Sequence, residues 1–167
     1  MSELASTVGT PFYCYSAATI RRHFRVFSQA FTGLDALVCY AMKANSNQAV
    51  LRLIASEGAG LAVVSGGELA RALAAGVPGS QITSSGVGKT NEEIAAALDA
   101  GIMCFNVESE PELEAISRIA SARGSAAPVS LRVNPDVDAR THKKISTGKS
   151  ENKFGVPLSH AREGYAR

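Results

Sequence analysis

The stretch Leu61-Ala62-Val63-Val64-Ser65-Gly66-Gly67-Glu68-Leu69 joins a short apolar run directly to the start of a helix. Ser65 and Glu68 have the S-x-x-E spacing of a capping box. In that box the hydroxyl and the carboxylate accept hydrogen bonds from N–H groups that the first helical turn leaves unpaired. A strand that passes at once into a helix is one β-α unit, and repetition of the unit indicates a parallel sheet covered by helices.

The unit recurs along the chain. Short apolar runs predict five strands, which are Ala36–Met42, Leu61–Val64, Gln81–Thr83, Ile102–Val107 and Val129–Val133. Because most of these runs are continuously apolar, we expect both faces of the sheet to be covered. Further capping-box patterns at Thr90–Glu93 and Ser109–Glu112 follow the third and fourth strands, and Gly76, Gly101 and Gly124 stand where helices should end.

Two elements are predicted before the first of these strands. The aromatic run Pro11–Tyr15 predicts a strand. The helical spacing of Ile20, Phe24, Phe27 and Phe31 predicts a helix over Ala17–Phe31.

Five β-α strands leave two α/β architectures open. They could form an open, doubly wound sheet, or the first part of a (β/α)8 barrel, which typically needs about 250 residues. Leu158–Arg167 has the pattern of a helix just beginning, and it reaches Arg167 without a capping signal. We therefore expect a partial barrel, truncated after about five strands, in a single domain over residues 1–167.

Composition excludes several classes of protein. The 167 residues are 46% hydrophobic and 19% charged with a net charge of +2, which is typical of a globular domain and not of a nucleic-acid-binding one. No apolar run approaches the roughly 18–20 residues that span a membrane, and Met1–Thr7 is not a signal peptide. The cysteines and histidines have no metal-ligand spacing, and the cysteines are expected to be buried free thiols. We expect a cytoplasmic protein without a metal.

Lys43 is the first candidate for chemistry, because it directly follows the predicted strand Ala36–Met42. Functional sites of parallel α/β folds lie at the carboxyl ends of the strands. A lysine desolvated there has a lowered pKa and can react as a free amine with a carbonyl group. The alternative is a lysine that merely extends its ammonium into solvent. The Gly-Lys-Thr at Gly88–Thr90 lacks the first glycine of a phosphate-binding loop, so nucleotide binding is not expected.

The polar stretch 140–155 is a second candidate. Loops of this length in compact domains tend to be functional, and its basic side chains suit an anionic ligand, although a merely solvated loop remains the alternative.

Together, several motifs resemble the diaminopimelate decarboxylases, which are pyridoxal-phosphate enzymes of fold type III. The motifs are Tyr40–Asn47, Val63–Leu69, Ser85–Thr90, Phe105–Ser109, and Arg132–Pro135 followed by His142–Gly155. The Lys43 motif is shared with relatives that act on ornithine or arginine, whereas Ile145–Gly148 and Glu151–Gly155 look specific to the diaminopimelate branch. Ala62 stands where the family usually has an aspartate.

The resemblance implies a TIM-type barrel of the alanine racemase-like fold with a second β-domain, to which Pro11–Tyr15 would contribute a strand. It implies that Lys43 holds pyridoxal 5'-phosphate and that Arg132 lies near its phenolic oxygen. The implied reaction is decarboxylation of meso-2,6-diaminopimelate to L-lysine, the last step of lysine biosynthesis, by a homodimer at full length. The alternatives are a decarboxylase of the ornithine or arginine type and an inactive truncated domain. We expect the isolated 167-residue polypeptide to self-associate, because Val129–Val133 keeps an unpaired edge. We also expect it to be inactive, because the family's partners of the cofactor phosphate and ring nitrogen are missing from it.

Overall fold

The computed structural model describes residues 1–134, 155–157 and 161. The chain divides into two compact units, Met1–Ala36 and Leu37–Arg167. The predicted loop over 140–155 and the predicted helix over Leu158–Arg167 lie outside the described residues, apart from Gly155 and Ala161. No helix among the described residues is both long enough and apolar enough to cross a membrane.

The first unit contains two helices, α1 (Ser2–Val8) and α2 (Ala17–Gln29). The prediction of α2 is confirmed, and its start is fixed by Ser16, whose hydroxyl oxygen accepts a hydrogen bond from the backbone N–H of Thr19 at 3.2 Å. The sequence did not predict α1.

Pro11–Tyr15 is not a strand in this structure. A run rich in aromatic side chains favours extended backbone, but a strand also needs a neighbour that pairs with its N–H and C=O groups. Within the described part of the chain, no strand pairs with these residues. Their assignment to a second β-domain stays a prediction.

The second unit is built on a five-stranded parallel sheet. Its strands are β1 (Cys39–Ala41), β2 (Gly60–Val63), β3 (Ile82–Ser84), β4 (Cys104–Val107) and β5 (Val129–Leu131). They lie side by side in chain order, β1-β2-β3-β4-β5. A doubly wound sheet reverses its strand order at a switch point, so the sequential order excludes that alternative and agrees with the predicted partial barrel.

The first, fourth and fifth strands are shorter than predicted, and the fifth is interrupted. The prediction of one strand over Val129–Val133 is wrong at Arg132, where β5 ends and a separate short strand, β6 (Val133–Asn134), begins. Strand β6 pairs with β7 (Val156–Pro157) in a second sheet. Arg132 therefore lies between two sheets rather than within one.

Four helices, α3 (Gln48–Ala55), α4 (Gly66–Ala74), α5 (Asn91–Asp99) and α6 (Glu110–Ala122), separate the strands. All three predicted N-caps are confirmed: the hydroxyls of Ser65, Thr90 and Ser109 accept from the backbone N–H three residues later. At α5 the complete capping box forms. At α4 and α6 the carboxylates of Glu68 and Glu112 instead accept from the backbone N–H of the residue before the N-cap, which is Val64 or Glu108 respectively.

The core lies between the helices and one face of the sheet. Its fully buried side chains include Phe105, Met42, Leu51, Leu61, Ile82, Ile94 and Ile116. The alternate strand positions carry small or polar residues, such as Ala62, Thr83, Asn106 and Ser130, and are only partly buried or exposed. The expectation that both faces of the sheet are covered is therefore wrong among the described residues: one face packs against helices, and the other carries these small or polar side chains.

Candidate functional site

A cavity of about 590 Å³ opens where the carboxyl ends of the strands meet. Its walls are formed by Lys43, Val64, Ser85, Gly86, Asn106, Glu108, Ser130 and Arg132. Each of the five strands contributes a residue at, or just after, its carboxyl end, which is the position of functional sites in barrels of this class. The volume falls within the range of roughly 300–1,000 Å³ that is usual for small-molecule sites.

A second cavity, of about 620 Å³, runs along α6 and is lined mainly by side chains of that helix. It lies away from the strand ends, whereas the cavity between the strand ends gathers two cations, a buried carboxylate and hydroxyl and amide groups. The cavity at the strand ends is therefore the candidate functional site.

Lys43 lies in a short 3-10 turn, Met42–Ala44, that directly follows β1. Met42 is fully buried and anchors the turn, while Lys43 is exposed at the cavity. The chain after it is held by the Tyr40 hydroxyl, which donates to the Asn45 carbonyl at 3.2 Å. Among the described residues, no hydrogen-bond acceptor or carboxylate contacts the Lys43 amine. The amine is therefore placed at the site and remains available for a ligand.

Lys89 is the second lysine near the site, and it is placed quite differently. Its side chain is 4% exposed, and its ammonium donates to the carbonyls of Gly86 (2.8 Å) and Asn106 (3.1 Å) and to Oε1 of Glu112 (2.6 Å). An ammonium has three donors, and here each has an acceptor. Lys89 of the Gly-Lys-Thr sequence thus holds protein groups together, and the absence of nucleotide binding stays a prediction.

Glu108 and Arg132 form an ion pair on the cavity wall. The Arg132 guanidinium donates to Oε2 of Glu108 at 2.7 Å, and the side chains are 41% and 7% exposed respectively. The resemblance implied Arg132 as a cofactor-binding residue, which stays a prediction, and the sequence analysis did not single out Glu108. The signal that could have found it is the same as for Lys43, because Glu108 is a charged residue directly after an apolar strand. A buried carboxylate that pairs with a half-exposed guanidinium fixes a cation at the site.

Ser85 and Asn106 provide neutral polar groups. The Asn106 side-chain amide donates to the Ser85 hydroxyl oxygen at 2.8 Å. A hydroxyl that accepts one hydrogen bond still has its own proton to donate. Ser85 therefore offers the cavity a donor whose oxygen is already held in place.

The N-terminus of α4 borders this region, and a protein carboxylate already binds to it. Glu93 accepts from the N–H of Thr90 at 3.0 Å and from the N–H of Gly66 at 2.7 Å. These two bonds, with Lys89 nearby, lower the pKa of Glu93. A Cβ on Gly66 would lie 3.1 Å from Cγ of Glu93, so the glycine permits this close approach. Helix N-termini bind anions readily, and here the anion is Glu93.

The cysteines follow the prediction only in part. Burial raises the pKa of Cys39 and of Cys104, and Cys104 adds to the rise at Cys39. All three are free thiols, but the prediction that they are buried is wrong: Cys14 is exposed, and Cys39 and Cys104 are only half-buried. Over residues 1–134, 155–157 and 161, no group of three metal-ligating side chains is found.

The family model described as pyridoxal-dependent decarboxylase, pyridoxal binding domain, matches residues 17–167. The chain belongs to the pyridoxal-dependent decarboxylases. The motif-based resemblance to diaminopimelate decarboxylases is also confirmed. The diaminopimelate decarboxylase of Pseudomonas aeruginosa is 52% identical over 167 residues, covering 100% of this chain and 40% of the relative. That of Haemophilus influenzae is 53% identical over 165 residues, covering 99% of this chain and 40% of the relative.

Solved pyridoxal-dependent decarboxylases share the fold. The crystal structure of diaminopimelate decarboxylase from Helicobacter pylori complexed with L-lysine matches 99% of this chain and 42% of its own, with a TM-score of 0.95 and 47% identity. The crystal structure of diaminopimelate decarboxylase from M. jannaschii in co-complex with L-lysine matches 98% of this chain and 40% of its own, with a TM-score of 0.89 and 41% identity. The predicted α/β partial barrel is thereby confirmed. The chain spans about 40% of the length of the curated relatives it matches.

Proposed function

We propose that the protein decarboxylates meso-2,6-diaminopimelate to L-lysine with pyridoxal 5'-phosphate. The observation that carries the proposal is the Lys43 amine, which stands at the strand-end cavity without a partner among the described residues. Curated diaminopimelate decarboxylases at about 50% identity support the substrate. As the motifs imply, we further propose that the protein acts as a cytoplasmic homodimer on this small-molecule substrate.

The residues at the cavity fit the cofactor. The aldehyde group of pyridoxal phosphate bonds to an amine, and the Lys43 amine at the cavity can supply one. The Lys89 ammonium cannot, because each of its three N–H donors already has a protein acceptor. The negatively charged oxygens of the cofactor need hydrogen-bond donors, and Arg132 and Ser85 present such donors to the cavity. Lys43 would hold the cofactor, and Arg132 would face its phenolic oxygen. When bound, the cofactor takes up the electron pair that carbon dioxide leaves behind.

The side chains of this chain have defined tasks in that scheme. Lys43 would hold the cofactor through its amine, and whenever that amine is not bonded to the cofactor, its Nζ could accept or deliver a proton. Glu108 holds Arg132 through the 2.7 Å ion pair, so the guanidinium is positioned before any ligand arrives. Asn106 holds the Ser85 hydroxyl in the same way. The site is therefore pre-organised on the ends of rigid strands.

A carbon dioxide release assay tests the proposed function. The protein, at the length its gene encodes, is incubated with pyridoxal 5'-phosphate and equal concentrations of meso-diaminopimelate, ornithine or arginine, and L-lysine is measured in parallel. We expect carbon dioxide and L-lysine from diaminopimelate, and background rates for a Lys43→Arg variant that keeps the charge but cannot react as the amine does. Release from ornithine or arginine alone would assign the protein to that branch, and no release from any substrate would refute a decarboxylase.

A further inference from the structure

Lys89 and Glu112 form a buried ion pair that the proposed chemistry does not use. The Lys89 side chain is 4% exposed and that of Glu112 is 9% exposed, with 2.6 Å between Nζ and Oε1. The ammonium also binds the carbonyls of Gly86 and Asn106. One cation therefore joins three elements: the loop after β3, the strand β4 and the helix α6.

The pair is linked to the cavity wall through Glu112. Its second oxygen, Oε2, accepts from the backbone N–H of Glu108 at 3.1 Å. Glu108 in turn accepts from the Arg132 guanidinium at 2.7 Å. Three wall residues, Gly86, Asn106 and Glu108, thus have a backbone group bound to Lys89 or Glu112, and a fourth, Arg132, is held by Glu108.

Stability alone does not explain such a pair. Removing two charges from water is costly, and a buried pair replaced by well-packed apolar side chains often leaves stability unchanged or raises it. What apolar side chains cannot do is hold backbone carbonyl and N–H groups at fixed positions. The geometry of the backbone at the ends of β3 and β4 is therefore the specific contribution of this pair.

We propose that Lys89 and Glu112 are positioning residues for the strand-end cavity, acting through Gly86, Asn106 and Glu108. This inference rests on the proposed function in one respect, namely that the cavity binds pyridoxal 5'-phosphate. Without the pair, the two carbonyls and the Glu108 N–H lose their partners, and the wall that carries Glu108 and Arg132 loosens. Displacements of about 1 Å in a catalytic site reduce rates about a hundredfold.

The deciding variant is the double substitution Lys89→Met with Glu112→Leu, because it leaves no unpaired charge in the interior. The matched control is Arg123→Met with Asp99→Leu, which removes an exposed ion pair between the C-terminal ends of α5 and α6, with 3.3 Å between the charged atoms. Each variant is made in the protein at the length its gene encodes. Three quantities are measured: the thermal midpoint, the dissociation constant for pyridoxal 5'-phosphate by equilibrium dialysis, and amide hydrogen exchange of the cofactor-free protein.

We expect the double variant to keep its thermal midpoint within a few degrees of the parent, while its dissociation constant rises about tenfold or more. Exchange at the Glu108 amide should accelerate about tenfold, with helix α4 unchanged. The control should match the parent in cofactor binding and in exchange at Glu108. A double variant that binds the cofactor like the parent, or protects the Glu108 amide equally well, would overturn the proposal.

A milder substitution covers the case in which the double variant does not fold. Glu112→Gln keeps the shape but puts an NH2 donor in place of one of the two carboxylate oxygens, so either Lys89 or the Glu108 N–H loses its acceptor. Weaker cofactor binding and faster exchange at Glu108 support the positioning role, and parental values for both refute it. If the parent itself does not bind the cofactor, the proposed function fails, whereas exchange in the cofactor-free protein still decides the role of the pair.

Discussion

Glu93→Gln should destabilise the fold by removing a carboxylate that joins two helices. Glu93 accepts from the N–H of Thr90 at the start of α5 and from the N–H of Gly66 at the start of α4. A hydrogen bond to a charged group contributes about 1.5–3 kcal/mol, and partial exposure of this carboxylate places it at the low end. Glutamine keeps one acceptor oxygen, so we expect a loss of about 1–2 kcal/mol in the free energy of unfolding.

The loss should depend on pH in a defined direction. The two backbone bonds lower the pKa of Glu93 in the folded protein. Its stabilisation is therefore fully present above the unfolded-state pKa and is lost as the pH falls through the lower, folded-state pKa. The gap between parent and Glu93→Gln should be constant above about pH 6 and should narrow as the pH falls below about 4.5.

Urea unfolding followed by circular dichroism at several pH values measures this gap. Glu92→Gln is the matched control, since Glu92 lies in the same first turn and makes no hydrogen bond within the described ranges. Like Glu93→Gln, this control variant loses one negative charge near the N-terminus of α5, an effect of about 0.3–1 kcal/mol. If Glu93→Gln and Glu92→Gln behave alike, or if the gap widens at low pH, the assignment of Glu93 is wrong.

Two further substitutions probe the sheet and the turn that bears Lys43. Gly60→Ala should destabilise the fold by about 1–3 kcal/mol in urea unfolding, because the new Cβ would lie 2.5 Å from the Gln81 carbonyl oxygen and 2.8 Å from Sγ of Cys39; a neutral result would contradict the packing there. Tyr40→Phe removes the bond to the Asn45 carbonyl, so we expect a loss of about 0.5–1.5 kcal/mol together with weaker pyridoxal phosphate binding in equilibrium dialysis. Parental binding would show that Tyr40 does not hold the turn.

Local signals in the sequence predicted the helix starts correctly. A hydroxyl three residues before a carboxylate is recognisable at Ser65, Thr90 and Ser109, since both partners of the cap lie within one turn. The placement of Lys43 was also predictable, because a cation directly after an apolar strand must lie at the sheet's carboxyl edge.

The order of the strands was not predictable from their spacing, because β-α units of the same length build both doubly wound sheets and barrels. The polar face of the sheet was missed for a related reason. Val63 and Val64 look alike in sequence, yet Val63 is buried in the core while Val64 is exposed at the cavity. Only the pairing of neighbouring strands decides which side chain turns to which face.

Long-range contacts explain why the sequence did not predict the other features of the site. The role of Lys89 depends on Glu112, which lies 23 residues further along the chain. Glu108 acquires its role from Arg132, 24 residues away. No local pattern contains either pair, so sequence alone could not distinguish Lys89 in its Gly-Lys-Thr setting from a solvated lysine.

The central claim is that Lys43 is the amine that binds pyridoxal 5'-phosphate, and borohydride reduction tests it most directly. The cofactor-loaded protein is reduced, digested and mapped by mass spectrometry. The account predicts a pyridoxyl label on Lys43 and none on Lys89, whose ammonium is buried at 4% exposure and bonded to three acceptors. A label on Lys89, or an unlabelled Lys43 in a protein that has bound the cofactor, would contradict it.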